Sequence, residues 1–412
     1  MAEPCSITGV GITPFSKGSG ATVAELAERA ALEAIADSGL DPADIGVVIF
    51  GNATQGAMEG QHGIRGQLAL ANLSLGIIPV INVENACCSA TTALQVAMAY
   101  LGAGMVEHAL VVGSEVMTQA GPDTVLAAFE GSWDVANRDA SFARLAALGS
   151  STLVPDDAES LDTRTVFMDI YASFARDHMA RFGSTREQFA AVSAKNHAHS
   201  VHNPNAQFQK SFTVDEVLAA RAVVWPLTIP MCSPISDGAA AAVVSAGSRA
   251  SNAARAVTIR GMALGHGGSW DGVDPSQHVS PRTARRAYAE AGLSPSDVDV
   301  AEVHDATAIG EVQQVEHMGL VEYGDGGRAA ERGDTALGGR IPVNPSGGLE
   351  SRGHPIGATG LAQIHELVLQ LRGEAGARQV EGARIALAEN SGGLTGIEEA
   401  AVAITLLEKA VR

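Results

Sequence analysis

The sequence predicts an α/β fold made of two similar halves, and three observations carry that prediction. Short β-rich runs alternate with Ala-rich stretches that suit helices, the alternation lapses between about residues 124 and 223, and it resumes in the same order near Ala256. At 412 residues the chain is too long for one simple core, so two fused half-domains fit its length as well as its rhythm. A composition of 46% hydrophobic and 18% charged residues is that of a well-buried globule.

In order, "CSITGVGITPF" reads as a first strand and Val23 to Ser38 as a helix with charges on one side and Ala or Leu on the other. "IGVVIFGNAT" and "IIPVINVEN" read as buried strands, residues 89 to 104 as a second helix, and "HALVVGSEVM" as a further strand. The polar stretch that follows reads as an insertion ending in "PLTIPMCSPISDGAAAAVVSA", whose tail is the last strand of the first half. The cycle then repeats: "AVTIRGMALG" as a strand, a helix over 281–291, "VDVAEVHDAT" as a strand with a polar tip, and "GRIPVNPSGGLESRGHPIGATGLAQIHELVLQLRG" as strand, loop and buried helix. "ARIALAENSGGLTGIEEAAVAITLL" closes with two strands, while "GHGGSWDG" and "GDGGRAAERGD" read as flexible loops. The expected units are 1–123 with 224–253, an inserted loop domain 124–223, and 254–412. Halves of this kind bring strand ends together, where catalytic loops gather.

A formal net charge of −19 argues against nucleic acid and anionic membrane surfaces as general partners. The four cysteines, Cys5, Cys87, Cys88 and Cys232, are too few and scattered for a disulfide framework or a CxxC metal site, so no metal is expected and a reducing cytoplasm fits best. No basic n-region with an apolar core opens the chain, and no apolar run approaches the ~18–20 residues of a membrane span.

"INVENACCSATTAL" sets two adjacent cysteines where a buried strand turns into a helix. Amide hydrogens and the positive end of the helix dipole favour a thiolate there, although a buried cysteine taken alone is more often a small core residue. His304 in "EVHDAT" and His354 in "NPSGGLESRGHPIGATG" occupy loops at other strand ends. One cysteine and two histidines on such loops suit a nucleophile and its base, although spacing alone does not bring them together.

Over essentially its whole length the chain resembles the thiolases, most closely those of the sterol-carrier-protein type. "NVENACCSATTAL" resembles their nucleophile motif, "AKNHAHSVHNPNAQF" and "CSPISDGAAAAV" their loop region and its exit, and "NPSGGLESRGHPIGATG" their Gly-His-Pro motif. The resemblance implies two β-α-β-α-β-α-β-β halves in a five-layered αβαβα sandwich with an inserted loop domain. It also implies Cys87 as acyl-accepting nucleophile, His354 as its base, and His304 as partner of the second thioester oxygen. The amides of Cys87 and Gly393 would form the other oxyanion hole. Coenzyme A is then a co-substrate and no cofactor is covalently held; the residues that bind it stay unknown. A homodimer or tetramer is implied.

Two departures qualify this. "EVHDAT" has Ala306 where the sterol-carrier type has a cysteine, and "ENSGG" has Asn390 where ordinary thiolases have theirs. Water, Cys232 or His266 remain as proton donors. Three functions follow: a CoA-dependent thiolase or acyltransferase for an unusual 3-oxoacyl-CoA; a thiolase-like C-acyltransferase or retro-aldolase working with a small OB-fold zinc-ribbon subunit; or a catalytically silent scaffold, which the retained cysteine and histidines disfavour.

Overall fold

The computed structural model describes residues 4–247 and 254–410; the expected seam at 253/254 adjoins residues 248–253, which lie outside the described residues. The first half runs β1 (Cys5–Ile12), α1 (Val23–Ser38), β2 (Val47–Gly51), the short helices α2 (Gln55–Glu59) and α3 (Arg65–Ala69), β3 (Val80–Val83), α4 (Ser89–Gly102) and β4 (His108–Glu115). Then come α5 (Pro122–Glu130), α6 (Arg138–Leu148), α7 (Val166–Phe182), α8 (Arg186–Ser200) and α9 (Val214–Ala219), followed by the small hairpin β5 (Ala222–Val224) and β6 (Leu227–Thr228). Strand β7 (Gly238–Ala246) returns to the main sheet. The second half is β8 (Val257–His266), α10 (Val279–Ala291), β9 (Val300–Glu302), α11 (Ala308–His317), α12 (Gly326–Glu331), α13 (Gly348–Arg352), α14 (Thr359–Arg372), β10 (Ile385–Thr395) and β11 (Glu398–Lys409).

Nine strands form one sheet in the order β3-β2-β4-β7-β1-β8-β11-β10-β9. Read outward from the β1–β8 seam, each half repeats one scheme: first strand, last strand, then the parallel strands. β2 is parallel to β3 and β4, just as β9 is parallel to β10. The strand expected before Asn344 is reduced to a parallel bridge between Ala301 and Val343. Alternation along β2 shows why these strands read as continuous apolar runs: Val47 and Ile49 face the central layer, Val48 and Phe50 the outer one.

That central layer is α4 and α14, whose Leu94, Leu101, Leu361 and Leu367 join one core with side chains from both halves of the sheet. Outside it, α1 covers the first half and α10 the second. Helix α1 starts at a capping box, Thr22 with Glu25, and ends at Gly39 in the left-handed region, so its bounds are set locally. Helices α7, α8 and α11 form a separate apolar cluster over one edge of the sheet. One sequence expectation fails here: "GDGGRAAERGD" contains helix α12. A Cβ at Gly326 would lie 2.7 Å from the Val312 carbonyl and one at Gly327 2.9 Å from Gln188, so these glycines allow close packing. Among the described residues no helix is long and apolar enough to cross a membrane.

Candidate active site

Cys87 lies in the 3-10 turn Ala86–Cys88 between β3 and α4. Ala86 before it has φ of 49°, a left-handed conformation that costs a non-glycine residue about 1–2 kcal/mol. Local hydrogen bonds hold it there: Ala86 N–H to Glu84 at 2.7 Å, Asn85 N–H to the Ser89 hydroxyl at 2.8 Å, and that hydroxyl to the Ala86 carbonyl at 2.6 Å. Strand β10 passes directly against the turn. A Cβ at Gly392 would stand 2.5 Å from the Asn85 carbonyl and 2.6 Å from the Cys88 amide, which explains the glycine. Cys88 faces the other way, fully buried, with its thiol donating to the Asn390 carbonyl at 3.3 Å.

His354 occupies the matching place before α14. Its Nδ1 is 2.7 Å from Thr359 Oγ1, and that hydroxyl gives its hydrogen to the Pro355 carbonyl at 3.0 Å. The oxygen can therefore only accept from the ring, which puts the His354 proton on Nδ1 and leaves a lone pair on Nε2. His304, just after β9, has the opposite tautomer. Asn390 Oδ1 accepts from the Thr91 hydroxyl at 2.6 Å, so its Nδ2 is the donor 3.2 Å from His304 Nδ1. That leaves the His304 proton on Nε2. Burial pushes His304 down to about 4 and, with His304 and Arg352 nearby, His354 well below the usual imidazole range, so both rings are neutral.

These residues converge. One nitrogen from each histidine and the Cys87 sulfur all lie within 4.8 Å of one another, and the rings stand edge to face at 5.2 Å. Among the described residues they are also the group close enough to share a metal ion. The fixed tautomers, one Nε2 a donor and the other an acceptor, suit proton traffic better. The amides of Gly393 and of Cys87 itself point at the sulfur. The expectation of a readily ionised Cys87 is corrected: burial outweighs those amides and pushes the thiol up to about 12, so it rests protonated and requires a base.

Cys87 is half-buried because it faces a cavity of about 1390 Å³, walled on the far side by Phe129, Phe167, Phe208 and Phe212. Lys17, Lys210 and Ala306 also line it, as does Cys232. His266 does not: it ends β8 with Nδ1 against the Gly267 carbonyl. His197 and His199 of "NHAHSVHNP" are engaged by the Pro230 and Asn344 carbonyls, consistent with a structural role. Sequence reasoning passed over Tyr171 and Glu350, both on the cavity wall. The signal for Glu350 was present, the lone carboxylate in "NPSGGLESRGHPIGATG".

A thiolase N-terminal domain model matches residues 5–218 and a thiolase C-terminal domain-like model matches residues 266–405. Sterol carrier protein 2 of Bos taurus is 38% identical over 402 residues, covering 94% of this chain and 69% of that protein. An acetyl-CoA acetyltransferase of Methanothermobacter thermautotrophicus is 37% identical over 397 residues, covering 95% and 97%. Among solved structures, one described as an Ltp2-ChsH2(DUF35) aldolase superposes with a TM-score of 0.77 at 25% identity, covering 99% of this chain and 98% of the other.

Proposed function

The chain belongs to the thiolase family of acyltransferases, and from that premise we propose that it is a coenzyme A-dependent thiolase, cleaving or forming the carbon–carbon bond of a bulky 3-oxoacyl-CoA through an acyl group on Cys87. The observation that carries this reading is the convergence of one thiol and two oppositely tautomerised histidines on one wall of the cavity.

In the cleavage direction the Cys87 thiol gives its proton to Nε2 of His354 as sulfur attacks the ketone carbon. The amides of Cys87 and Gly393 receive the oxyanion of the adduct, and Nε2–H of His304 bonds the thioester oxygen where charge grows as the enolate departs. Coenzyme A then collects the acyl group. It acts as a co-substrate, and Lys17 and Lys210 offer local positive charge for its phosphates in an otherwise acidic protein. A cavity of about 1390 Å³, against ~300–1,000 Å³ for ordinary ligand pockets, supports a branched, aromatic or polycyclic acyl chain together with the pantetheine arm.

The domain division given above, 1–123 with 224–253, 124–223 and 254–412, is part of the same reading, supported by the repeated strand order. So is a homodimer or tetramer: edge strand β3 and the part-exposed Val96, Met98 and Tyr100 of α4 supply an uncovered side. Four cysteines without a disulfide among the described residues fit a cytoplasmic setting. A second reading, an aldolase acting with a small partner subunit, is favoured by the likeness to the Ltp2-ChsH2(DUF35) aldolase. Incubation with acyl-CoA and 3-oxoacyl-CoA panels separates them. Thiolase chemistry gives an acyl mass shift on Cys87 that disappears in Cys87→Ser; aldol cleavage with no adduct on any substrate would overturn it.

A further inference from the structure

Cleavage releases a carbanion that must be protonated, and by the resemblance of the sequence motifs Ala306 and Asn390 fall where thiolases carry a second thiol. A thiol reaches the same space from the neighbouring segment. Cys232 forms an antiparallel bridge with Thr307, and the Ser233 amide donates to the Ala306 carbonyl at 3.0 Å. Residues bridged in this way lie about 4.5–5.5 Å apart, which brings the backbone of Cys232 to within one residue of Ala306. Both line the cavity with Cys87, His304 and His354.

A second group marks this wall. Glu350 on α13 has 0% exposure, lines the cavity, and has no hydrogen-bond donor on either carboxyl oxygen. Its acidic neighbours are provided for. Asp305 accepts from the Leu349 amide at 2.7 Å and from Asn196 at 3.1 Å, and Glu311 pairs with Lys195 Nζ at 2.7 Å. Ser193, a hydroxyl beside it, donates to the Pro230 carbonyl. A carboxylate buried without donors is costly, and burial with the charges of Asp305 and Glu311 pushes Glu350 well up, so it carries a proton. Burial pushes the Cys232 thiol up as well, and Glu350 lies near enough that its ionised form would push it further.

We propose that Cys232 is the proton donor to the departing carbanion and that Glu350, as a carboxylic acid, hydrogen-bonds the thiolate left behind; this rests on the thiolase reading above. As the carbon–carbon bond breaks, its electron pair passes into the enolate. The α-carbon takes the proton of Cys232, forming a C–H bond, and the S–H electron pair stays on sulfur. When coenzyme A attacks the acyl group on Cys87, its thiol proton passes to the Cys232 thiolate. The Cys87 sulfur, as leaving group, recovers the proton held by His354, so both cysteines end as thiols.

The test separates acylation from proton transfer. Each variant is scored for acyl-Cys87 by mass and for solvent deuterium incorporated at the α-carbon of an acyl-CoA. Failure of the wild-type protein to acylate sinks the thiolase reading, and this proposal with it. With Cys87 labelled at one acyl group per chain, Cys232→Ala and Cys232→Ser are expected to lower deuterium exchange by about 10²–10⁴-fold. Ala306→Cys in the Cys232→Ala background is expected to restore part of it. Exchange within about threefold of wild type in either labelled single variant overturns the proposal. Glu350→Ala should slow exchange about tenfold and Glu350→Gln, which keeps a donor, should not; equal rates in all three proteins remove Glu350 from the role.

Discussion

The turns that carry Cys87 and His354 occupy equivalent places in the two halves. A 3-10 turn contains Cys87 in the first, Ala86–Cys88, and follows His354 in the second, Ile356–Ala358, and each leads into a helix of 14 residues, α4 and α14. They are braced differently. In the first half Glu115 is held by neutral donors: the Thr54 hydroxyl at 2.7 Å, the Asn52 side chain at 2.8 Å, and amides that include Gly357 of the second half at 3.0 Å. In the second half Glu302, beneath the loop of His354, pairs with the fully buried Arg352 at 3.0 Å, whose Nε and Nη2 have no partner. One architecture thus seats a buried carboxylate of the first half on neutral donors and one of the second half on a buried ion pair, so the halves should differ in how they fail.

Removing the nucleophile should have the largest effect. Cys87→Ser should abolish the acyl adduct and lower turnover by about 10⁴-fold or more; an adduct elsewhere on the chain would end the assignment. His354→Ala should slow single-turnover acylation by ~10²–10⁴-fold while the fold persists. Because the folded His354 titrates well below its ordinary range, its lone pair survives as pH falls. The wild-type acylation rate should therefore stay level as pH falls through the ordinary imidazole range and drop only well below it; a limb near pH 6.5, the ordinary imidazole value, would contradict it. The ion pair gives the next contrast. Arg352→Met strands a buried carboxylate and should cost about 3–5 kcal/mol in denaturant unfolding, whereas Glu115→Gln should cost about 1–3 kcal/mol. Equal losses would erase the proposed difference between the halves. Smallest is Asn390→Ala, which frees Nδ1 of His304 and should reduce turnover about tenfold.

What could be read from the chain beforehand was local. Helix α1 matches its expected span of 23–38 because Thr22, Glu25 and Gly39 write both ends into the sequence. Helix α10 starts at Val279, two residues before its expected start, where the His278 side chain accepts from the Ser280 amide. What escaped depends on distant partners. Gly326 and Gly327 resemble a loop until α8 and α11 are brought against them. The protonation of Cys87 reverses because desolvation belongs to the assembled cavity, while the favourable amides belong to the turn. His304, His354 and Cys87 sit on loops whose meeting depends on how the halves join, and Cys232 becomes a neighbour of Ala306 only through a bridge between segments remote in sequence.

The antiparallel pairing of β1 with β8, Ser6 opposite Thr258 and Ile7 opposite Val257, makes the two halves one plate, with α4 and α14 clamped together along its inner side. A hinge between the halves would have to unzip that seam and tear open the largest apolar core. The phenylalanines that line the cavity all come from residues 124–223, so this segment, and not the seam, shapes the space in front of the sulfur and both imidazoles.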